Sequence, residues 1–381
     1  MDAAVRRAVG AVVDPELRRP LAELDMVRAV VVDGDVARVG IALTIVGCPA
    51  ADRIERDVRA AAASVAGIAE VVVEVGVMTP AERHALTERL RGGRAARVMP
   101  FGPDALTRVI AVTSGKGGVG KSTLTANLAV ALCARGLAVG LVDADVHGFS
   151  IPALLGLVGP DGRPPAPTRI DDLMLPPVAY GVKAISIGMF LPPSEAGRPA
   201  SGAVAWRGPM LHRTVQQFLT DVFFGDLDVL LIDMPPGTGD IAISVGQLLP
   251  HAEVLVVTTP QTAASDVAVR SGLVAAQTGQ RVIGVVENMA AMVLPDGTTL
   301  DLFGSGGGAA VAAALSTDAA PVPLLASVPL SVALREGGDA GVPVVVGAPG
   351  DAAAQAIEHV AASLAATPRG LSGRPLPFTP A

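Results

Sequence analysis

The chain has 381 residues, a formal net charge of −7 at pH 7, 50% hydrophobic residues and only 3% aromatic residues. This length exceeds one ordinary hydrophobic core and predicts two domains that are packed with small aliphatic side chains. The acidic balance, with a pI near 5.3, argues against a general nucleic-acid binder. The chain begins without the apolar core of a signal peptide, and no stretch approaches the roughly eighteen consecutive apolar residues of a membrane span. We therefore expect a cytoplasmic protein that binds neither nucleic acid nor a membrane.

The first domain is predicted to span residues 1–92 as a small α+β unit. Its opening residues have a helical pattern, and "VRAVVVDGDVARVGIALTI" is typical of a hairpin that turns at Asp33 and Gly34. The pattern of "CPAADRIERDVRAAAASVAG" predicts a helix, and "IAEVVVEVGV" predicts a strand. Residues 93–107 mix Gly, Pro and Arg without periodicity, which indicates a linker.

The second domain is predicted to span residues 108–366, where strands alternate with helical segments. The predicted strands are "RVIAVT", "AVGLVD", "DVLLID", "EVLVVTT", "RVIGVVEN" and "VPLLASVP". Near-continuous Val, Ile and Leu strands are typical of a parallel sheet that is covered on both faces. The fold class is therefore α/β, with a doubly wound, mainly parallel sheet. Residues 367–381 are rich in Pro and Gly, and we expect this tail to be disordered.

A phosphate-binding loop lies at the start of this second domain. The stretch "SGKGGVGKST", residues 114–123, satisfies G-x-x-x-x-G-K-[ST] between a strand and a helix. Backbone N–H groups of such a loop bind phosphate oxygens, Lys121 neutralises the terminal phosphates, and Ser122 supplies a Mg²⁺ ligand. The sequence thus predicts a P-loop NTPase that binds ATP with Mg²⁺. The predicted nucleotide ligands here are Gly115, Lys116, Gly117, Gly118, Val119, Gly120, Lys121, Ser122 and Thr123.

Three aspartates follow the next two buried strands. The strand "LVDADVHG" ends with Asp143 and Asp145, and "LLIDMPPGTGD" contains Asp233. Because the carboxyl ends of strands line the ligand crevice of a doubly wound sheet, all three are expected to face the bound phosphates. Asp233 fits the role of holding the Mg²⁺ shell, and Asp145 is the candidate for orienting the attacking water. The alternative is that these side chains only cap helices.

Six segments together resemble the Mrp/ApbC family of iron–sulfur cluster carrier ATPases, a branch of the MinD/ParA-related P-loop class. They are "GKGGVGKST", "VDADVHGFSIPALLG", "RGPMLHRTVQQFL", "LDVLLIDMPPGTGD", "VVTTPQ" and "GVVENM". The N-terminal "LTIVGCPAADRIERDV" resembles the small metal-sulfur-cluster assembly domain that often precedes such ATPases. The resemblance implies slow, Mg²⁺-dependent ATP hydrolysis coupled to a homodimer. It also implies cluster transfer, with client apoproteins and assembly scaffolds as partners.

The resemblance also implies roles for two further residues. Lys116, the additional lysine of the loop, is implied to reach across the homodimer and act on ATP bound by the other subunit. Such a cation would stabilise the charge that develops in phosphoryl transfer. Asn288, in "VVENM", is implied to bind the adenine. From the residues alone, Lys116 is equally compatible with a solvated loop position, and Asn288 with a turn.

The expected cluster ligands are partly missing from the sequence. Many members of the family carry C-x-x-C after the strand that ends in "VVENM". The corresponding stretch here, "ENMAAMVLPDGTTLDLFGSGGG", contains no cysteine. Of the two cysteines, Cys133 falls in an apolar helical pattern, while Cys48 precedes Pro49 where a strand meets a helix. A helix N-terminus favours thiolate, so Cys48 is the candidate ligand of a labile iron–sulfur cluster, with a buried structural cysteine as the alternative. The alternative function is a cluster-free, nucleotide-gated scaffold or chaperone ATPase.

Overall fold

The computed structural model describes residues 1–45, 50–92, 98–146, 148–190, 208–294 and 296–367. Its α-helices are α1 (Asp2–Gly10), α2 (Ala51–Ala63), α3 (Pro80–Arg91), α4 (Lys121–Ala134), α5 (Ile151–Leu154), α6 (Gly208–Thr220), α7 (Asp240–Leu248), α8 (Thr262–Gln277), α9 (Gly307–Leu315), α10 (Val332–Ala340), α11 (Val344–Gly347) and α12 (Ala352–Ala366), and a 3₁₀ helix spans Ile187–Phe190. The strands are β1 (Val27–Asp33), β2 (Val36–Leu43), β3 (Glu70–Val77), β4 (Arg108–Ser114), β5 (Val139–Asp143), β6 (Thr168–Ile170), β7 (Leu173–Leu175), β8 (Val178–Ala179), β9 (Val182–Ser186), β10 (Val229–Asp233), β11 (Glu253–Thr258), β12 (Arg281–Ala290), β13 (Met292–Val293), β14 (Thr299–Leu300) and β15 (Leu324–Pro329).

The larger sheet has eight strands in the order β15-β12-β11-β4-β10-β5-β9-β8. The registered pairs from β15 across to β9 are parallel, so the predicted α/β class with a mainly parallel sheet is confirmed. All six predicted strands are present in it. β8 and β9 were not predicted, because Lys183 and small residues interrupt their apolar pattern.

The register of the central strands places the aspartates side by side. β10 pairs with β4 on one side and with β5 on the other, and Asp233 is opposite both Val112 and Asp143. Every residue of β5 and β10 is buried, as continuous apolar strands require when helices cover both faces. The carboxyl ends of β5 and β10 therefore lie side by side, next to the loop that follows β4.

Helix α4 begins at Lys121, immediately after the loop, and is buried on nearly all sides. Its apolar residues share one hydrophobic core with the inner strands and with α12. Helix α8 packs against β4, β11 and β12. Because buried helices fix both ends of the loop, its backbone position is set by the core.

The chain forms two compact units, of which the smaller contains residues 1–98, 167–178 and 221–225. Its sheet has the order β1-β2-β3, with β1 and β2 antiparallel and β2 and β3 parallel. The hairpin predicted from the sequence is present, but its turn residues are Gly34 and Asp35 rather than Asp33 and Gly34, since Asp33 still pairs with Val36 and Gly34 has a φ of 62°.

Distant segments contribute to the core of this smaller unit. Ile170, Leu173 and Leu175 from the β6–β7 hairpin are buried in the same cluster as the apolar residues of α1 and α2. Residues 93–97 of the predicted linker and 368–381 of the predicted tail lie outside the described ranges. Within those ranges, no helix has the length and the apolar character needed to cross a bilayer.

Candidate nucleotide site

The loop between β4 and α4 lines a cavity of about 500 Å³. Its walls are Ser114, residues 116–123, Asp145, Gly148, Ser150, Pro235 and Pro236. The cavity thus brings the loop, the segment after β5 and the segment after β10 together, as the positions of the strand ends predict.

Two glycines of the loop are required by close neighbours. A Cβ atom at Gly115 would collide with the backbone of α8 at Val267 and Ala268. Gly120 has φ of 80°, and a Cβ atom there would collide with the side-chain nitrogen of Asn288. A side chain at either position would displace the loop from the backbone or from the amide that supports it.

Asn288 lies behind the loop and supports it. Its Nδ2 donates a hydrogen bond of 2.8 Å to the carbonyl oxygen of Val119, and the side chain is buried. This bond uses one N–H of the Asn288 amide and leaves its second N–H and its carbonyl oxygen for other partners. Sequence reasoning missed this contact, since residue 288 is far from the loop in the chain.

The cationic and metal-binding side chains meet at Asp233. Lys121 Nζ lies 2.7 Å from Asp233 Oδ1, and Ser122 Oγ donates a hydrogen bond of 2.5 Å to Asp233 Oδ2. Lys121 is 5% exposed and Asp233 is fully buried, so this ion pair is shielded from water. The hydroxyl and carboxylate oxygens converge as the hard oxygen ligands of Mg²⁺ do, and the residues present therefore fit that ion.

Thr125 is a further member of this cluster that the sequence motif did not indicate. Its Oγ1 lies 2.8 Å from the carbonyl oxygen of Lys121 and 3.0 Å from Asp233 Oδ1. Thr125 follows Lys121 by four residues, and side chains at that spacing share one face of a helix. That periodicity was the signal that could have found it.

Asp143 is buried beside Asp233 and is held by several donors. Its carboxylate accepts hydrogen bonds from Ser186 Oγ at 2.9 Å and from the backbone nitrogens of Asp145 and Ile151. Burial, followed by repulsion from Asp233, raises the pKa of Asp143 to about 7. Burial also raises the pKa of Asp233, although Lys121 opposes that shift. Of the three aspartates that were expected to face the phosphates, only Asp145 lines the cavity, whereas Asp143 and Asp233 are fully buried.

Asp145 lines the cavity and is fixed by the turn that follows it. Its Oδ1 accepts a hydrogen bond of 3.1 Å from the backbone nitrogen of Gly148, and only 8% of the residue is exposed. Asp145 is thus a buried carboxylate with a fixed orientation at the cavity wall. His147 is outside the described residues.

Lys116 lies at the open side of the cavity. Its Nζ is 3.1 Å from Oε1 of Gln261, a residue of the "VVTTPQ" segment that precedes α8. The backbone oxygen of Lys116 accepts a hydrogen bond from Ser114 Oγ. The side chain of Lys116 is thus held by one exposed amide, in contrast to the buried Lys121.

Of the two cysteines, Cys133 lies within the described residues. Cys48 and Pro49 are outside the described residues, and Cys133 is half-buried against the core of the larger unit, as expected. In the part of the chain that the structure describes, no group of three or more His, Cys, Asp or Glu side chains is arranged to hold a metal ion.

Comparisons with known proteins agree with the motifs and geometry. A family model described as the NUBPL iron-transfer P-loop NTPase matches residues 105–365, which is most of the chain. The chain belongs to that family. A second model, described as an iron-sulfur cluster assembly protein, matches residues 2–75. The family that the sequence segments resemble is thereby confirmed.

Two relatives of this P-loop NTPase match it over nearly its whole length. A Mycobacterium tuberculosis protein named iron-sulfur cluster carrier protein is 51% identical and covers 100% of this chain and 97% of its own. A Synechocystis protein of the same name is 40% identical, over 95% of this chain and 96% of its own. A solved structure from Archaeoglobus fulgidus, described as a nucleotide-binding protein in complex with ADP, is 34% identical, with a TM-score of 0.49 over 61% of this chain and 86% of that one.

Proposed function

We propose that this protein carries iron–sulfur clusters to client apoproteins and that it binds and hydrolyses ATP to do so. The observation that carries the ATPase part is the contact of Lys121 and Ser122, which line the loop cavity, with the fully buried Asp233. The carrier part is supported by the iron-transfer family and by relatives that are named as carriers along nearly their whole length. We further propose that the protein acts in the cytoplasm, where thiols remain reduced.

Each loop residue has a proposed part in binding and hydrolysis. The backbone of residues 115–120 encloses the phosphates, and Lys121 binds their terminal oxygens. Ser122 and Asp233 are the residues that would hold Mg²⁺, which neutralises charge on the phosphate oxygens when it is bound. Asp145 orients the attacking water, and Asn288 supports the loop and contributes its remaining polar groups to the adenine.

Lys116 is proposed to act on the ATP of a second copy of this chain. Its ammonium group lies on the open side of the cavity, where the exposed Gln261 is its described partner. Moving this side chain would break one hydrogen bond at the surface, whereas moving Lys121 would break a buried ion pair. We propose that hydrolysis is slow and depends on Mg²⁺ and on a homodimer.

The cargo is proposed to be held through Cys48, with one thiolate from each subunit and further ligands from small thiols or the client. A cluster bound by two protein thiolates is labile, which suits transfer. The absence of C-x-x-C after Asn288 favours a second candidate, a cluster-free scaffold ATPase. Anaerobic reconstitution of wild type, Cys48→Ser and Cys133→Ser distinguishes the two by iron and sulfide content. We expect only Cys48→Ser to lose iron.

The function is tested by cluster transfer to a purified apoprotein that needs a [4Fe–4S] cluster. Wild type with ATP and Mg²⁺ should restore the client, and Lys121→Ala should not gain from added ATP. Arg135→Ala is the matched control, since it removes an exposed cation that pairs with Glu358 outside the cavity. A wild-type protein that retains no iron in reconstitution and restores no client would contradict the carrier and favour the scaffold.

A further inference from the structure

The buried carboxylate of Asp233 is held by a donor outside the phosphate-loop motif. Oδ1 of Asp233 has two neighbours, Lys121 Nζ at 2.7 Å and Thr125 Oγ1 at 3.0 Å. Oδ2 accepts the hydrogen bond from Ser122 Oγ. The two carboxylate oxygens are therefore fixed by different hydroxyl groups, and rotation of the carboxylate would break both contacts.

Thr125 has one proton and two acceptors within reach. A hydroxyl donates only one hydrogen bond at a time, and here the carbonyl oxygen of Lys121 and the Asp233 carboxylate both lie within 3.0 Å of it. The bond to the carboxylate is charge-assisted and is the stronger of the two when Asp233 is ionised. Thr125 is fully buried, so water does not replace the hydroxyl at Oδ1.

Phosphate binding changes what remains at Oδ1. If Lys121 turns its ammonium group toward bound phosphates, its 2.7 Å contact with Asp233 lengthens and weakens. A buried carboxylate oxygen that loses a donor is destabilised unless another donor remains. Thr125 is that remaining donor at Oδ1, because its position is set by α4 and by the core.

We propose that Thr125 is a positioning residue for magnesium binding: its hydroxyl holds Asp233 Oδ1 while Lys121 binds phosphate, so that Oδ2 and Ser122 stay oriented toward the metal. This inference rests on the proposed role of Asp233 in the Mg²⁺ shell. The competing explanation is ordinary back-bonding of a helical threonine to the carbonyl four residues earlier, which would affect stability alone.

Two substitutions separate the hydroxyl from the shape of the side chain. Thr125→Val keeps the branched shape and removes the hydroxyl, while Thr125→Ser keeps the hydroxyl. The matched control is Thr278→Val, because Thr278 Oγ1 also bonds the carbonyl four residues earlier but does so at the end of α8, away from the cavity. If the valine variant does not fold, Thr125→Ala removes the same hydroxyl without adding a methyl group to the core.

The experiment measures ATP affinity of the full chain by calorimetry across a range of Mg²⁺ concentrations and in EDTA. For Thr125→Val we expect the Mg²⁺ concentration that half-restores tight ATP binding to rise roughly tenfold, the loss typical of one hydrogen bond to a charged group. Affinity in EDTA should be unchanged, Thr125→Ser should restore the wild-type Mg²⁺ response, and Thr278→Val should show that response throughout.

Three results would overturn the inference: an unaltered Mg²⁺ response in Thr125→Val, an equal defect in Thr125→Ser, or an equal loss with and without Mg²⁺. Asp233→Ala separates this failure from that of the proposed function. If Asp233→Ala loses the Mg²⁺ response and Thr125→Val keeps it, only the role of Thr125 is wrong. If Asp233→Ala also keeps it, the magnesium role of Asp233 is wrong, and the role of Thr125 with it.

Discussion

The two sides of the nucleotide cavity differ in how firmly their charged groups are held. On the buried side, Lys121, Ser122 and Thr125 all contact one carboxylate, Asp233, which has no exposed surface. On the open side, Lys116 makes one described side-chain hydrogen bond, to an exposed glutamine. The buried cluster is organised before ATP arrives, whereas the open lysine can change partners at small cost. We therefore propose that the buried cluster binds ATP and the metal, and that Lys116 on the open side acts in turnover.

Asp145 separates binding from turnover most strongly. Asp145→Asn keeps an oxygen to accept the bond from Gly148 but removes the charge that orients and polarises water. We expect hydrolysis to fall by about 10²- to 10⁴-fold, the usual contribution of a general base, with ATP affinity unchanged. Asp161→Asn is the control, because that carboxylate also accepts a backbone hydrogen bond and lies outside the cavity. A parallel loss of affinity would contradict the division between the two sides.

Asp143 makes the buried side sensitive to pH. Its pKa is raised from 3.8 to about 7. Between these two values of pH, the folded state holds a proton that the unfolded chain has released. The stabilisation is complete below the unfolded pKa and is lost as pH rises toward 7, by about 4 kcal/mol at most. Chemical denaturation from pH 4 to pH 8 should therefore show the stability of wild type declining relative to Asp143→Asn. If the stability of wild type instead rose with pH relative to Asp143→Asn, the raised pKa of Asp143 would be refuted.

Lys121 and Lys116 should differ in ATP affinity. Lys121→Ala removes a buried, charge-assisted contact and should weaken ATP binding by about 10- to 100-fold. Lys116→Ala should retain appreciable binding, since its side chain lies at the open side. Calorimetric titration of both variants, with thermal unfolding measured alongside, makes the comparison. Equal losses of ATP affinity in the two variants would contradict the different roles of Lys121 and Lys116.

Substitution of Asn288 should have the smallest effect on affinity, and that effect has two parts, support of the loop and contact with the adenine. Removing the amide in Asn288→Ala deletes the hydrogen bond to Val119 and should lower the affinity for tripolyphosphate a few-fold. ATP affinity should fall by a larger factor, and the excess measures the proposed adenine contact. An unchanged affinity for tripolyphosphate would exclude support of the loop, and equal factors would exclude the adenine contact.

The sequence predicted what local patterns and short spacings encode. Continuous apolar strands and the loop motif predicted the position of Lys121 beside Ser122, and the strand ends predicted that Asp233 lies near them. Thr125 was missed because the motif ends before it, and the bond from Asn288 to Val119 was missed because it joins distant residues. Burial of the β6–β7 hairpin in the smaller unit depends on packing between segments that are far apart in the chain. Local periodicity does not contain that information.

The most direct test of the division between a binding side and a turnover side mixes two inactive variants. Lys116→Ala lacks the lysine proposed to act on the other subunit, and Asp145→Ala lacks the carboxylate proposed to act within its own. A mixed dimer places an intact Asp145 and a lysine from the partner at one site, so we expect mixing to restore part of the ATP hydrolysis. The contradicting result is a mixture that stays inactive while labelled subunits are shown to exchange.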